Sequence, residues 1–176
     1  MSRGNTVTDS RNRQIFSGPK VREIPDLLQS IFAAELLVPS TQLWIVSPWI
    51  SDIPLIDNEA GSFSSIEPEW PPIRIRFSQV LQALIERGTR ITIATRDVDH
   101  NRPFRDALES LVSATTLTFV YAEELHEKGI LGDAFFLNGS MNFTYNGVHV
   151  NSEILHLITD PATIAEAHIT MRDRWR

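Results

Sequence analysis

Six polar side chains fall within 28 residues of this chain: His126, Lys128, Asp133, Ser140, Asn142 and Glu153. They form H-x-K-x4-D, then, after a five-residue run, G-S-x-N, then a Glu. If 125–130 is extended, His126 and Lys128 share a face, because strand side chains alternate with period two. Ser140 and Asn142, also two apart, can face the same ligand. An imidazole, an ammonium, a hydroxyl and an amide backed by carboxylates suit a tetrahedral phosphate. Phosphodiester cleavage needs a nucleophile, a proton donor for the leaving oxygen and positive charge on the remaining oxygens. Histidine serves as nucleophile or acid because it titrates near neutrality. The chain has two Lys against fourteen Arg, so a Lys at position 128 stands out. It brings a compact point charge to a phosphate oxygen where Arg would bring a planar fork.

These residues resemble the signature of the phospholipase D superfamily, the HKD motif followed by G-S-x-N, over about 125–158. The resemblance implies that His126 attacks phosphorus and forms a covalent phosphohistidine, while a second motif His protonates the leaving oxygen. It implies Lys128, Ser140 and Asn142 as holders of the non-bridging oxygens. Glu153 would hydrogen-bond the far imidazole nitrogen, and Asp133, grouped with the catalytic set, would support the site's structure. It also implies that no metal and no cofactor is needed. The run between Asp133 and Gly139 is one residue shorter than the family commonly has. Two imidazoles are required and the chain holds one H-x-K-x4-D with no internal repeat. A two-fold homodimer with His126 of each subunit at a shared phosphate supplies the second.

The elements around the motif follow from periodicity. Ile24, Leu27, Leu28, Ile31 and Phe32 predict a helix over 21–37. The apolar run 43–46 predicts a buried strand ending in Ser47-Pro48-Trp49, a loop that in the resembling family borders the active site; Trp49 equally suits packing. A second helix carries Phe77, Val80, Leu81, Leu84 and Ile85 and closes at Gly88. Strands over 90–95 and 117–121 bracket a third helix carrying Phe104, Leu108, Leu111 and Val112. The motif strand, 134–137 and 153–158 follow as further strands, with a loop or short helix over 139–151. Asp160 caps a last helix begun by Pro161. Strand and helix in alternation predict an α/β fold: a mixed, mostly parallel sheet with helices on both faces, phospholipase D-like by the resemblance. His156 is expected on a buried strand, His168 packed on the last helix, and His100 and His149 in loops.

Length and content predict one domain over 21–176, preceded by a flexible basic segment 1–20 and interrupted by a long acidic, Pro-rich insertion at about 51–72. Trp70 in that insertion is expected to pack on its own domain. There is no Cys, so disulfides and thiolate metal sites are excluded. No apolar run reaches membrane-spanning length and the first twenty residues lack a signal-peptide core, so a cytoplasmic location is expected. The net charge is −6, but residues 74–105 carry seven Arg against three acids. They suit either a polyanion groove or a salt-bridged helix surface.

The expected function is therefore a metal-independent phosphodiesterase, a nuclease on DNA or RNA, with nucleic acid and a second copy of itself as partners. The overall plan also resembles phospholipase D-like proteins encoded beside bacterial DNA-modification and anti-phage systems, the DpdK type among them. That implies a larger DNA-processing or defence assembly. Two alternatives stay open: a non-catalytic nucleic-acid-binding subunit and a phospholipid phosphodiesterase. No amphipathic membrane helix favours the latter.

Overall fold

The computed structural model describes residues 12–16, 22–112 and 115–175. The strands are β1 (Asn12–Phe16), β2 (Gln42–Val46), β3 (Pro54–Asp57), β4 (Arg74–Arg76), β5 (Arg90–Thr95), β6 (Leu117–Tyr121), β7 (Gly129–Leu131), β8 (Phe136–Gly139) and β9 (Ile154–Ile158). The helices are α1 (Glu23–Leu37), α2 (Phe77–Glu86), α3 (Arg102–Leu111), α4 (Tyr145–His149) and α5 (Pro161–Arg174). Seven strands form one sheet in the order β1-β9-β8-β7-β2-β5-β6, and β3 and β4 form a separate hairpin.

The α/β architecture with helices on both faces is as expected. The parallel share is smaller than expected. Only β2-β5 and β5-β6 run parallel, whereas β2-β7, β7-β8, β8-β9 and β1-β9 are antiparallel. Crossover helices α2 and α3 supply the parallel half. After β6 the connections are helix-poor and the chain returns by hairpin, which enforces antiparallel pairing.

Alternation along the strands splits the interior. Leu43, Ile45, Ile91, Ile93, Ile130 and Leu137 pack under α1, α2 and α3. Trp44, Val46, Ala94 and Leu131 face the other way, under Ile164 and Met171 of α5. Each buried aliphatic side chain of this kind contributes about 1.5–3 kcal/mol.

Helix ends are fixed by side chains and turns. Asp160 accepts from Thr163 N at 3.0 Å, as its position before Pro161 predicts. The Asp52 carboxylate accepts from Ser78 N at 2.9 Å and closes the start of α2. Gly88 takes φ +94° after α2, the left-handed turn that favours glycine.

One sequence expectation needs correction. Residues 12–16, inside the segment expected to be flexible, form β1 and pair with β9 along their whole length; residues 1–11 and 17–20 lie outside the described residues. The acidic 51–72 stretch is largely ordered chain. Ile53, Leu55 and Ile56 are buried, Asn58 caps the turn through Phe63 N at 2.9 Å and Pro71 O at 2.9 Å, and Arg87 pairs with Glu67. Trp70 packs tilted on Phe63 against the same core, as expected. Among the described residues no helix is long and apolar enough to cross a membrane.

Candidate active site

The motif segments 126–128, 139–140 and 153–154 meet at one end of the sheet because of strand register. Val46, the last residue of β2, pairs with Gly129, the first of β7, and Gly129 pairs with Asn138 near the end of β8. His126 and Lys128 therefore enter the sheet where β2 and β8 leave it. Gly139 N donates to Lys128 O at 3.3 Å, and Ser140 N to Ile154 O at 3.0 Å, which brings Ser140 and Glu153 to the same edge. The carboxyl ends of the parallel strands β2 and β5 open here too, the place where open α/β sheets take ligands.

The approach of β8 to β9 is tight. A Cβ on Gly139 would lie 2.0 Å from Ile154 O, so only glycine permits this contact. Gly147 in α4 is similarly pressed on Asn142, whose carbonyl would lie 2.2 Å from an added Cβ. These two glycines fix the backbones of Ser140 and Asn142.

The 125–128 segment is not a ladder strand, contrary to the expectation of a shared strand face. The carbonyl of Leu125 is instead held by Arg96, through Nε at 3.1 Å and Nη2 at 2.8 Å. Arg96 Nη2 also lies 3.4 Å from His126 Nε2. His126 is exposed and Lys128 half-buried, with the Lys128 ammonium donating back to the His126 carbonyl. Lys128 lines a trench of ≈340 Å³ with Glu127, Phe136, Asn138 and Met171.

Glu153 is buried, 7% exposed. Its carboxylate accepts from the Ser140 hydroxyl and, at 3.2 Å, from Asn151 Nδ2. Ser140 Oγ in turn accepts from Ile154 N at 3.0 Å. Glu153 thus orients Ser140, where the resemblance implied a bond to His126. The Oδ1 of Asn142 is buried without a hydrogen-bond partner, an amide waiting for a donor in a place where most buried polar atoms are satisfied.

Asp133 is not with this group. It lies past the far end of β7, where Oδ2 accepts from Thr41 N at 2.7 Å and from the Thr41 hydroxyl. Its own N donates to Ser40 Oγ at 2.8 Å, and Ser40 is held by Glu35 through two bonds of 2.9 Å. The motif Asp ties the β7–β8 turn to the start of β2. Burial pushes the Glu35 carboxyl up from its ordinary value; the Ser40 bonds oppose that and the nearby Asp133 charge adds to it.

Two residues that sequence reasoning did not single out shape the site. Arg96 is one. Asn101 is the other: 4% exposed, it donates through Nδ2 to Pro48 O, Thr95 Oγ1 and Arg96 O at 2.8–2.9 Å and accepts from Ile50 N at 3.0 Å. It locks the β2 and β5 exit loops together. The other basic residues of 74–105 mostly serve the surface. Arg74, Arg87, Arg102 and Arg105 pair with acids, and Arg76 donates to Asp52 O. His168 packs as expected, with Nε2 3.1 Å from Gly132 O. His156, expected in a buried strand, is exposed, because it alternates with the buried Leu155. His149 lies in α4; burial, with Arg74 and Arg22 nearby, lowers its pKa. His100 Nε2 sits 2.9 Å from Ser51 Oγ. Among the described residues no group of three or more His, Asp or Glu is placed to hold a metal ion.

The sequence of residues 68–175, more than half of the chain and including every motif residue, matches the family model described as cardiolipin synthase, PLD-like domain. The chain belongs to the phospholipase D-like family. Its fold agrees. NucT from Helicobacter pylori superposes with a TM-score of 0.61 at 15% identity, covering 92% of this chain and 94% of NucT. Nuc from Salmonella typhimurium, a phospholipase D family member, gives 0.58 at 17% identity, with 93% of each chain covered. Phosphatidylserine synthase from Haemophilus influenzae Rd KW20 gives 0.54 at 14% identity, with 93% of this chain but 39% of the synthase covered. No curated protein sequence matches the chain.

Proposed function

We propose that this phospholipase D-like protein is a metal-independent phosphodiesterase that cleaves nucleic acid through a phosphohistidine on His126, in a site shared by two copies. The observation that supports the reading is the hydrogen bonding that brings segments 126–128, 139–140 and 153–154 together at one end of the sheet, with Asp133 tied elsewhere to Thr41.

In the proposed reaction a nitrogen of one His126 attacks phosphorus as the bond to the leaving oxygen breaks. His126 of the second copy gives its proton to that oxygen. Water then attacks the phosphohistidine, the second imidazole takes the water's proton, and the P–N bond breaks. Lys128 and the amide of Asn142 meet the charge on the non-bridging oxygens, and Ser140, steadied by Glu153, stands beside them.

A second copy also has a surface to occupy. On the α5 side, no helix among the described residues covers the β8-β9-β1 part of the sheet: Phe16 is 62% and Ile154 43% exposed, with His156, Gln14 and Asn12 exposed beside them. The trench at Lys128 runs onto this face. Self-association here would cover apolar surface and bring two motif edges together.

Nucleic acid is the substrate proposed because NucT and Nuc match this chain over nearly their whole length, whereas the phosphatidylserine synthase extends well beyond it. A place in a bacterial DNA-modification or defence system, of the DpdK type, is the finer form of the same proposal. The test is cleavage of DNA and RNA in excess EDTA. The account expects turnover by the wild type and none by His126→Ala; binding that survives His126→Ala without any wild-type turnover would favour a non-catalytic module.

A further inference from the structure

The loop after β2 holds Trp49 in an unusual position for so large an apolar group. It is 39% exposed, while Trp44 and Trp175 are 8% and 7% exposed. Exposure here does not come with slack. Ser47 Oγ donates to Trp49 O at 2.7 Å, and Asn101 grips the carbonyl of Pro48 and the N–H of Ile50 on either side. The indole is flanked by two partners that shape a platform. The Arg96 guanidinium lies over the ring, 5.9 Å from its centroid, and the His100 ring stands edge-on at 5.8 Å, steepened to 83° and held by Ser51. Arg96 is the same residue whose Nη2 lies 3.4 Å from His126 Nε2. The indole is therefore one guanidinium away from the proposed nucleophile.

We infer that Trp49, with Arg96 and His100, is a stacking platform for the base next to the scissile phosphate, and that it selects single-stranded over duplex nucleic acid. This rests on the nuclease reading and deepens it. A rigid exposed aromatic beside a phosphate site suits an unpaired base, whose π-face is free; in a duplex both faces are already stacked. Arg96 bridges the two requirements, reaching toward the base on one side and the phosphate on the other.

The test uses full-length protein in EDTA, with a single-stranded DNA oligonucleotide and its duplex as ligands. His126→Ala protein, silenced for cleavage, should bind the single strand at least tenfold tighter than the duplex, with quenching of tryptophan emission. Adding Trp49→Ala should weaken single-strand binding by about 5- to 100-fold, in line with base–aromatic stacking, while Trp49→Phe largely restores it. With His126 intact, Trp49→Ala should raise KM for the single strand more than it lowers kcat. Equal binding by the Trp49→Ala protein, or equal affinity for strand and duplex, overturns the platform. If the wild type cleaves nucleic acid and Trp49→Ala changes neither KM nor affinity, the platform alone falls. If the wild type neither binds nor cleaves nucleic acid, the nuclease reading falls and the platform with it.

Discussion

Lys128 is the residue whose chemistry is most specific to the proposed transition state. Its ammonium folds back onto the His126 carbonyl, a bond it can exchange for a phosphate oxygen. Removing one preorganised donor from such a site costs about 10²–10³-fold in kcat. Lys128→Ala should show that loss in single-turnover cleavage of a small phosphodiester in EDTA, with unchanged thermal unfolding; kcat within threefold of wild type would remove Lys128 from the mechanism. Asn101 acts differently, through the loops it holds. Asn101→Ala leaves the N–H of Ile50 buried without its acceptor, a loss of about 1–3 kcal/mol, read in urea unfolding together with reduced activity. The motif that nominates His126 and Lys128 can be read in the sequence because its spacing is local. Arg96 and Asn101 cannot be, because their partners lie up to 53 positions away and only the fold brings them together.

Among the elements, β7 teaches most. Its motif ends point to opposite ends of the sheet: His126 to the site, Asp133 to Thr41 and Ser40. Sequence spacing tied the two together; three residues of strand pull them apart. Asp133→Ala should therefore lower stability by about 1–3 kcal/mol, while the folded protein keeps its kcat. Glu35, in the same network, gives a pH test. Its carboxyl is raised by burial, so the native state holds its proton more tightly than the unfolded chain. The associated stability is full below the unfolded value, about 4.3, and is lost as pH rises through the folded one. Against Glu35→Gln, the wild type should lose relative stability as pH rises from about 4 to neutrality, measured by denaturant midpoints; a pH-independent difference would contradict the assignment. Periodicity placed α1, α2, α3, β5 and β6 well because their apolar residues recur at regular spacing, and α5 was marked by its Asp160–Pro161 start. It missed β1, whose one buried side chain, Ile15, ends a polar run and has only Phe16 as an apolar neighbour. It overstated the parallel pairing because alternation of strand and helix stops after β6.

At the scale of the whole molecule the face of β8, β9 and β1 that no helix among the described residues covers bears on how the proposed site is completed. Ile154 presents its side chain there, while its backbone is tied to Ser140. Ile154→Asp should shift the protein toward monomer in sedimentation velocity and lower cleavage in parallel, with the far-UV spectrum preserved. A fully active monomer would separate self-association from chemistry.

The most direct measurement is mass spectrometry of the protein quenched during turnover of a defined phosphodiester in EDTA. The account predicts an acid-labile adduct, the mass of the phosphoryl-bearing half of the substrate, on the peptide containing His126, and none in His126→Ala. An adduct on any other residue, or undiminished turnover by His126→Ala, would contradict it.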